Sequence, residues 1–441
     1  TGAGKLASRT TGAYAAVRKQ FKLPIGRFEG VREALARIAG NTYLMDAARE
    51  LTCTAVDLGE RPSVASAIVK YHLTERMRSL INDAMDVQGG SGICLGPRNY
   101  LGRVYQALPI SITVEGANIL TRNLIIFGQG ALRCHPYVLK EIQAAADADP
   151  IRGVRDFDRA LFGHARLLLS NVSRALLHGL TGARLVRAPD EGYATKWYRE
   201  FGRMSAVFAL FADVAMLLLG GDLKRRERLS ARLGDGLSFL YLGSAALKRF
   251  HDQGAPMADR VLLDWSCQTC LFEMQRSLLA LLENFPSKAV ARLLRVWAFP
   301  LGAPYRNPGD RLTDAVAEVI LKPGEVRDRL TRGLFIPTNP LEPLTRLDDA
   351  LAKTLAAEPI LARIRAAMRA GRAASGDPES GLDAAVQTEI VSADEAAMVQ
   401  SAVLARRQVI AVDDFPPEYL SPEMPRWNRD QPRTASAVRS I

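Results

Sequence analysis

The stretch ISITVEGANIL, residues 110–120, holds one carboxylate among apolar and small residues. Between Tyr105 and Leu132 the only charged side chains are Glu115 and Arg122. A carboxylate taken out of water without a partner costs several kcal/mol. Two readings follow for Glu115. It faces water near the start of the next helix, where acidic residues are favoured. Alternatively it is a general base in a dry pocket, its pKa raised toward working pH by desolvation. Local sequence favours the first, and the rest of the chain has to decide.

Other candidate chemistry is sparse. Cys53, Cys94, Cys134, Cys267 and Cys270 are an odd set that fits a reducing compartment better than a disulfide framework. The SCQTCLFEM pair lies in a helical pattern with no second pair, so core packing is expected of it. The five histidines are dispersed, and no metal site is expected. TGAGK at the start fails as a phosphate loop, because Leu6 follows Lys5 where Ser or Thr is required. The net charge of +11 permits polyanionic partners. The basic residues are scattered, however, and lack interleaved aromatics, so no nucleic-acid partner is expected. The apolar run from Ser205 to Gly221 is short for a bilayer span and contains Asp213; it reads as a core helix. The basic stretch DLKRRERLSAR after it leaves a peripheral membrane contact open.

The elements that must position Glu115 are helical. Residues 28–59 and 61–90 carry apolar positions at three- and four-residue spacing, the second segment with Pro62 and Ser63 near its start and Gly89-Gly90 at its end. Further helices are expected up to Lys22 and from Asn118 to Gly128. The chain reads as all-α, with a helical bundle over 1–135, a second helical domain over 136–370, and a linker, short helix and proline-rich tail over 371–441. Thr1 in place of Met, with no signal peptide visible, reads as a processed or truncated chain.

Three pieces resemble one known family. RKQFKLPIGRFEGVREALARIA resembles the R-x-x-F-G-x-P-[IL] segment of acyl-CoA dehydrogenases, DVQGGSGICLG their G-G-x-G turn, and VEGANILTR the segment whose glutamate is the catalytic base. The three occur in the family's order at family-like separations. The chain is most similar to the C-terminal portion of proteobacterial long-chain acyl-CoA dehydrogenases with an extra C-terminal helical domain. The resemblance implies FAD as cofactor and conversion of long-chain acyl-CoA to trans-2-enoyl-CoA in fatty-acid β-oxidation. Glu115 would take the α-proton and the flavin the β-hydride. The Glu115 N–H would donate to the thioester oxygen, and Gly116 would let backbone approach the acyl chain. Arg18, Gln20 and Phe21 would meet the cofactor pyrophosphate, often across a subunit interface; Gly89 and Gly90 would meet its adenosine, and Asn118 would also contact FAD. Electron-transferring flavoprotein and a homodimeric partner are implied, with a cytoplasmic location, peripheral at the inner membrane if the basic flank binds lipid.

Several positions depart from the family pattern. Lys22 replaces a glycine, Ala117 a threonine, and Glu29 stands where glutamine is common; Asp86 takes another glutamine position, with Gln88 nearby. The family's N-terminal helical and middle β-domains are not expected in this chain. Two alternatives stay open: an acyl-CoA oxidase, and a helical scaffold without turnover.

Overall fold

The computed structural model describes residues 1–128, 130, 135–189, 191–373 and 376–416. Its first helix, α1 (Gly2–Val17), is rich in Gly, Ala, Ser and Thr and is buried over most of its surface. Small side chains let neighbours approach its backbone: a Cβ on Gly12 would sit 2.1 Å from the Ile320 carbonyl oxygen. The helix ends at Arg18, whose backbone is extended. A two-residue antiparallel hairpin follows, Lys19–Gln20 (β1) against Leu23–Pro24 (β2). Its turn residues Phe21 and Lys22 both have positive φ, 50° and 66°.

Next come α2 (Glu29–Asp57) and α3 (Ser63–Gln88), the latter stopping at Gly89 with φ 66°. Then α4 (Gly102–Thr113) carries Pro109 within it, in a run the sequence reading did not assign to a helix. From Asn118 the chain is helical again, opening into a wide π turn over Thr121–Ile125; such turns are frequent at functional sites.

The rest is also helical: α5 (Val138–Ala145), α6 (Pro150–Leu180), α7 (Thr195–Leu219), α8 (Glu227–Asp252), α9 (Arg260–Glu283), α10 (Lys288–Ala298), α11 (Asp310–Leu321), α12 (Pro343–Arg369) and α13 (Ala393–Ile410). One cluster of buried apolar side chains runs from Ala7 to Ala405, so helices on both sides of residue 135 share a core. A smaller cluster joins α12 to α13 through Ile360, Ile364 and Val399. The fold is all-α, as the helical periodicity implied.

Buried charge ties the two sides together. Asp46 of α2, 3% exposed, accepts from Arg249 of α8 at 2.7 Å and pairs with Lys5 of α1 at 3.0 Å, while Arg249 stacks over the Tyr43 ring. Burial alone would raise the Asp46 carboxyl, but these two cations outweigh it and hold it below its ordinary range. Removing one member of such a group costs about 3–5 kcal/mol. Lys5, the lysine of the rejected phosphate-loop motif, is thus a core residue.

The other secondary readings resolve the same way. Cys267 and Cys270 lie inside α9, and burial pushes the Cys270 thiol up to about 12. Helix α7 is long and apolar enough to cross a membrane, yet half of its apolar window is buried inside the protein. Cys134 and residues 417–441 of the proline-rich tail lie outside the described residues.

The α12–α13 unit reaches back to the hairpin through Glu379, which accepts from Lys19 at 2.5 Å and from Arg406 at 2.8 Å. Burial raises this carboxyl, but Arg406 and Lys19 prevail and hold it at about 2, below the ordinary 4.5. A carboxyl depressed in the folded state stabilises it above the unfolded pKa, and that contribution is lost as pH falls through the folded value. Urea midpoints of wild type and Glu379→Gln should therefore differ fully near neutrality and converge between pH 4.5 and about 2. A gap that stays constant over this window would refute the assignment.

Candidate active site around Glu115

Glu115 sits on the bend between α4 and the helix from Asn118, with φ 55°, followed by Gly116 at φ 87°. Left-handed backbone costs a non-glycine residue about 1–2 kcal/mol, so the bend requires glycine at one position and strains the other. Four groups hold it. Lys70 of α3 donates from Nζ to the Gly116 carbonyl and to Asn118 Oδ1, both at 2.7 Å. Thr121 Oγ1 donates to the same carbonyl at 3.2 Å. The Asn118 amide donates to Thr74 Oγ1 at 2.9 Å and Glu75 Oε1 at 2.7 Å. Arg122, the segment's other charged residue, forks onto Asp235 of α8 at 2.8 and 2.5 Å.

Desolvation pulls the Lys70 ammonium below its usual range, while Glu75 and Glu115 pull it back. Charge-assisted hydrogen bonds contribute about 1.5–3 kcal/mol each. Two of them exceed the strain at Glu115, which is why the bend persists.

The Glu115 carboxylate itself is exposed, and no described residue hydrogen-bonds it. The main-chain N–H groups of Glu115 and Gly116 donate to no described group either. A free carboxylate and two free donors therefore stand side by side on a braced bend. The dry pocket expected around Glu115 is not formed by the described residues. Asn118, expected to contact a cofactor, is 5% exposed and has its amide engaged on α3; here it is a brace for the bend.

The other predicted residues gather at the far end of α3. Arg18 donates to the Tyr14 hydroxyl at 2.5 Å and stacks over its ring. Tyr14 in turn bonds the Gln88 carbonyl at 3.2 Å and Ser91 Oγ at 3.4 Å, on either side of Gly89-Gly90. No described carboxylate pairs with Arg18, leaving its guanidinium free for an anion. A Cβ at Gly89 or Gly90 would meet nothing within 4 Å, so the space beside the turn is open. Gln20 is exposed, and Phe21 is 88% exposed with its ring edge-on to Phe28. From Lys70 to Gln88 along α3 is about 27 Å at 1.5 Å per residue, so the two groups are separate stations on one helix. A cleft of ≈ 570 Å³ lined by Glu29, Arg37, Arg76 and Trp265 includes residues of neither station.

Sequence reasoning missed the Lys70–Thr74–Glu75 brace, whose spacing shows only that these residues share a helix face. It also scattered two histidines that the fold brings together. His135 and His164 have ring centroids 4.6 Å apart beside buried Asp213. His135 Nδ1 accepts from the N–H groups of Tyr137 and Val138, so its Nε2 keeps the proton and donates to Asp213 at 2.8 Å. That tautomer withholds the lone pair a metal would need, and the trio serves as a clasp between helices.

Comparison with known proteins converges on one family. The family profile described as "Acyl-CoA dehydrogenase, C-terminal, bacterial type" matches residues 132–415, and "Acyl-CoA dehydrogenase, C-terminal domain" matches residues 1–128. A 3-(aryl)acrylate reductase of Clostridium sporogenes is 28% identical over 116 residues, 25% of this chain and 29% of that protein. A probable acyl-CoA dehydrogenase of Bacillus subtilis is 26% identical over 144 residues, 28% of this chain and 24% of that protein. The chain thus spans less than a third of the length of these relatives. The crystal structure of a Bacillus anthracis acyl-CoA dehydrogenase complexed with FAD shares the fold, with a TM-score of 0.55, 18% identity, and coverage of 72% of this chain and 53% of that one.

Two outcomes follow from the geometry. Lys70→Met should lower stability by about 1–3 kcal/mol and speed amide exchange at residues 115–118 by about tenfold or more; unchanged exchange there would remove Lys70 as the brace. Lys22→Gly should raise stability by about 0.5–1 kcal/mol, read as a higher melting temperature, because the left-handed turn position tolerates glycine without strain.

Proposed function

The chain belongs to the acyl-CoA dehydrogenase family, and from that premise we propose that it is the C-terminal helical part of a flavin-dependent dehydrogenase of long-chain acyl-CoA. The reaction is α,β-dehydrogenation to trans-2-enoyl-CoA in fatty-acid β-oxidation, in the cytoplasm, with electron-transferring flavoprotein as acceptor. FAD supplies the hydride chemistry when bound.

The observation that carries this reading is the Glu115 bend. Breaking the Cα–H bond beside a thioester needs a base for the proton and donors for the oxygen on which charge develops. The Glu115 carboxylate is the base. The adjoining main-chain N–H groups, undonated within the chain, supply at least one donor. Lys70 and Asn118 act as positioning residues that hold both at a fixed separation. Arg18, with no described acid partner, and the open turn at Gly89-Gly90 fit the pyrophosphate and adenosine end of the cofactor. With about 27 Å between the stations, Arg18 would serve the cofactor of a second copy in a homodimer.

Anaerobic addition of palmitoyl-CoA to the flavin-loaded enzyme tests the reading, with an aryl-propionyl-CoA as comparison substrate in view of the similarity to a 3-(aryl)acrylate reductase. Wild type should bleach. Glu115→Gln should keep FAD yet bleach slower by about 10²–10⁴-fold. Equal bleaching in both would move the base elsewhere, and a flavin-loaded wild type inert to both thioesters would favour the scaffold alternative.

A further inference from the structure

We propose that the outward face of α6 seats on an anionic lipid surface. This helix has 31 residues and is about 46 Å long. Its buried side is small and polar, with Gly153, Ala160, Asn171, Ala175 and His178 against its neighbours. The side turned away from the protein is apolar apart from the exposed Asp158, one turn from both Val154 and Phe162. Ile151, Val154, Phe162, Leu169 and Leu180 recur there at helical spacing and are 85%, 63%, 74%, 69% and 52% exposed. Core packing does not account for a large apolar stripe opposite the buried face; such stripes mark contact with a partner or a membrane.

Charge selects the occupant. At about 100° per residue, Arg152, Arg155, Arg159 and Arg166 line one flank of the stripe, and the same sector continues through Ser170, Ser173 and Leu177 without an acidic residue. Asp147 lies against Arg152, and Asp156 against Arg155 and Arg159. These are exposed pairs worth little, which competing phosphates loosen. Two copies packed stripe to stripe in antiparallel fashion would set the arginine flank against itself. Lipid headgroups instead supply the missing negative charge while the stripe enters the acyl boundary, as in amphipathic helices that lie in the interface. The chain's net charge of +11 has the same sense.

Sedimentation of the full chain with vesicles tests this without reference to the flavin reaction. Wild type should pellet with phosphatidylglycerol–phosphatidylcholine vesicles and stay in solution with phosphatidylcholine alone. Phe162→Asp with Leu169→Asp should weaken binding roughly a hundredfold. Both side chains are exposed, so an unchanged melting temperature is expected and shows that the fold survives. Arg155→Glu with Arg159→Glu and Arg166→Glu should abolish the preference for the anionic vesicles. Absence of wild-type pelleting, or pelleting unaffected by the double substitution, overturns the proposal. A wild-type dimer that the double substitution splits, without vesicle binding, also overturns it and assigns the stripe to a second copy.

Discussion

The ammonium of Lys70 is the constraint on which the Glu115 end of the molecule depends. It is held partly out of water by carbonyl oxygens from the strained bend, Gly116 O and Asn118 Oδ1. Neither the left-handed backbone at Glu115 nor the burial of the lysine is favourable alone. Together they are: the ammonium needs acceptors, and the bend presents two that point one way. Thr74 and Glu75 take the other half of the Asn118 amide from the next turn of α3. The geometry of the loop is thus dictated by a helix, which is more rigid than the loop could be alone.

Because α3 sets one end of the site, it sets the spacing of the whole. Its last turn carries Gln88, whose carbonyl meets Tyr14 and whose side chain accepts from Tyr100 at 2.6 Å. Tyr14 positions Arg18. The helices after residue 135 brace this end from outside. Glu379 holds Lys19, and Asp413 accepts from the Arg98 N–H at 3.0 Å, fixing the loop that follows Gly89-Gly90. A Cβ on Gly96 would lie 2.3 Å from Asp413, so the contact requires glycine. The additional helices therefore support the first bundle through residues that neighbour its candidate site residues in sequence.

The parts of this architecture legible in the sequence were those with a local signature. Helical periodicity marked α2 and α3, the Gly89-Gly90 pair marked the stop, and a lone carboxylate in an apolar run marked Glu115. What could not be read depends on pairings far apart in the chain. Lys70 and Asn118 are 48 residues apart, and nothing in either neighbourhood names the other. His135 and Asp213 meet across 78 residues. The helix α4 was hidden by Pro109 and the β-branched residues after it, which oppose helix locally and are overruled by packing. The substitution of Lys22 for glycine was visible, but only the hairpin shows its consequence, a lysine in left-handed backbone.

The exposure of Glu115 looks at odds with a general base that must be desolvated. It is consistent if what covers the carboxylate is the reacting complex. Enclosure of a carboxylate by apolar groups raises its affinity for protons. A base enclosed only by its ligand would therefore be strengthened only when substrate is present. The strained bend suits this sequence of events, since its rigidity means that enclosure changes the surroundings of the carboxylate without moving it. On the proposed reading, the braces on α3 are in place before any ligand arrives, and the desolvation comes with it.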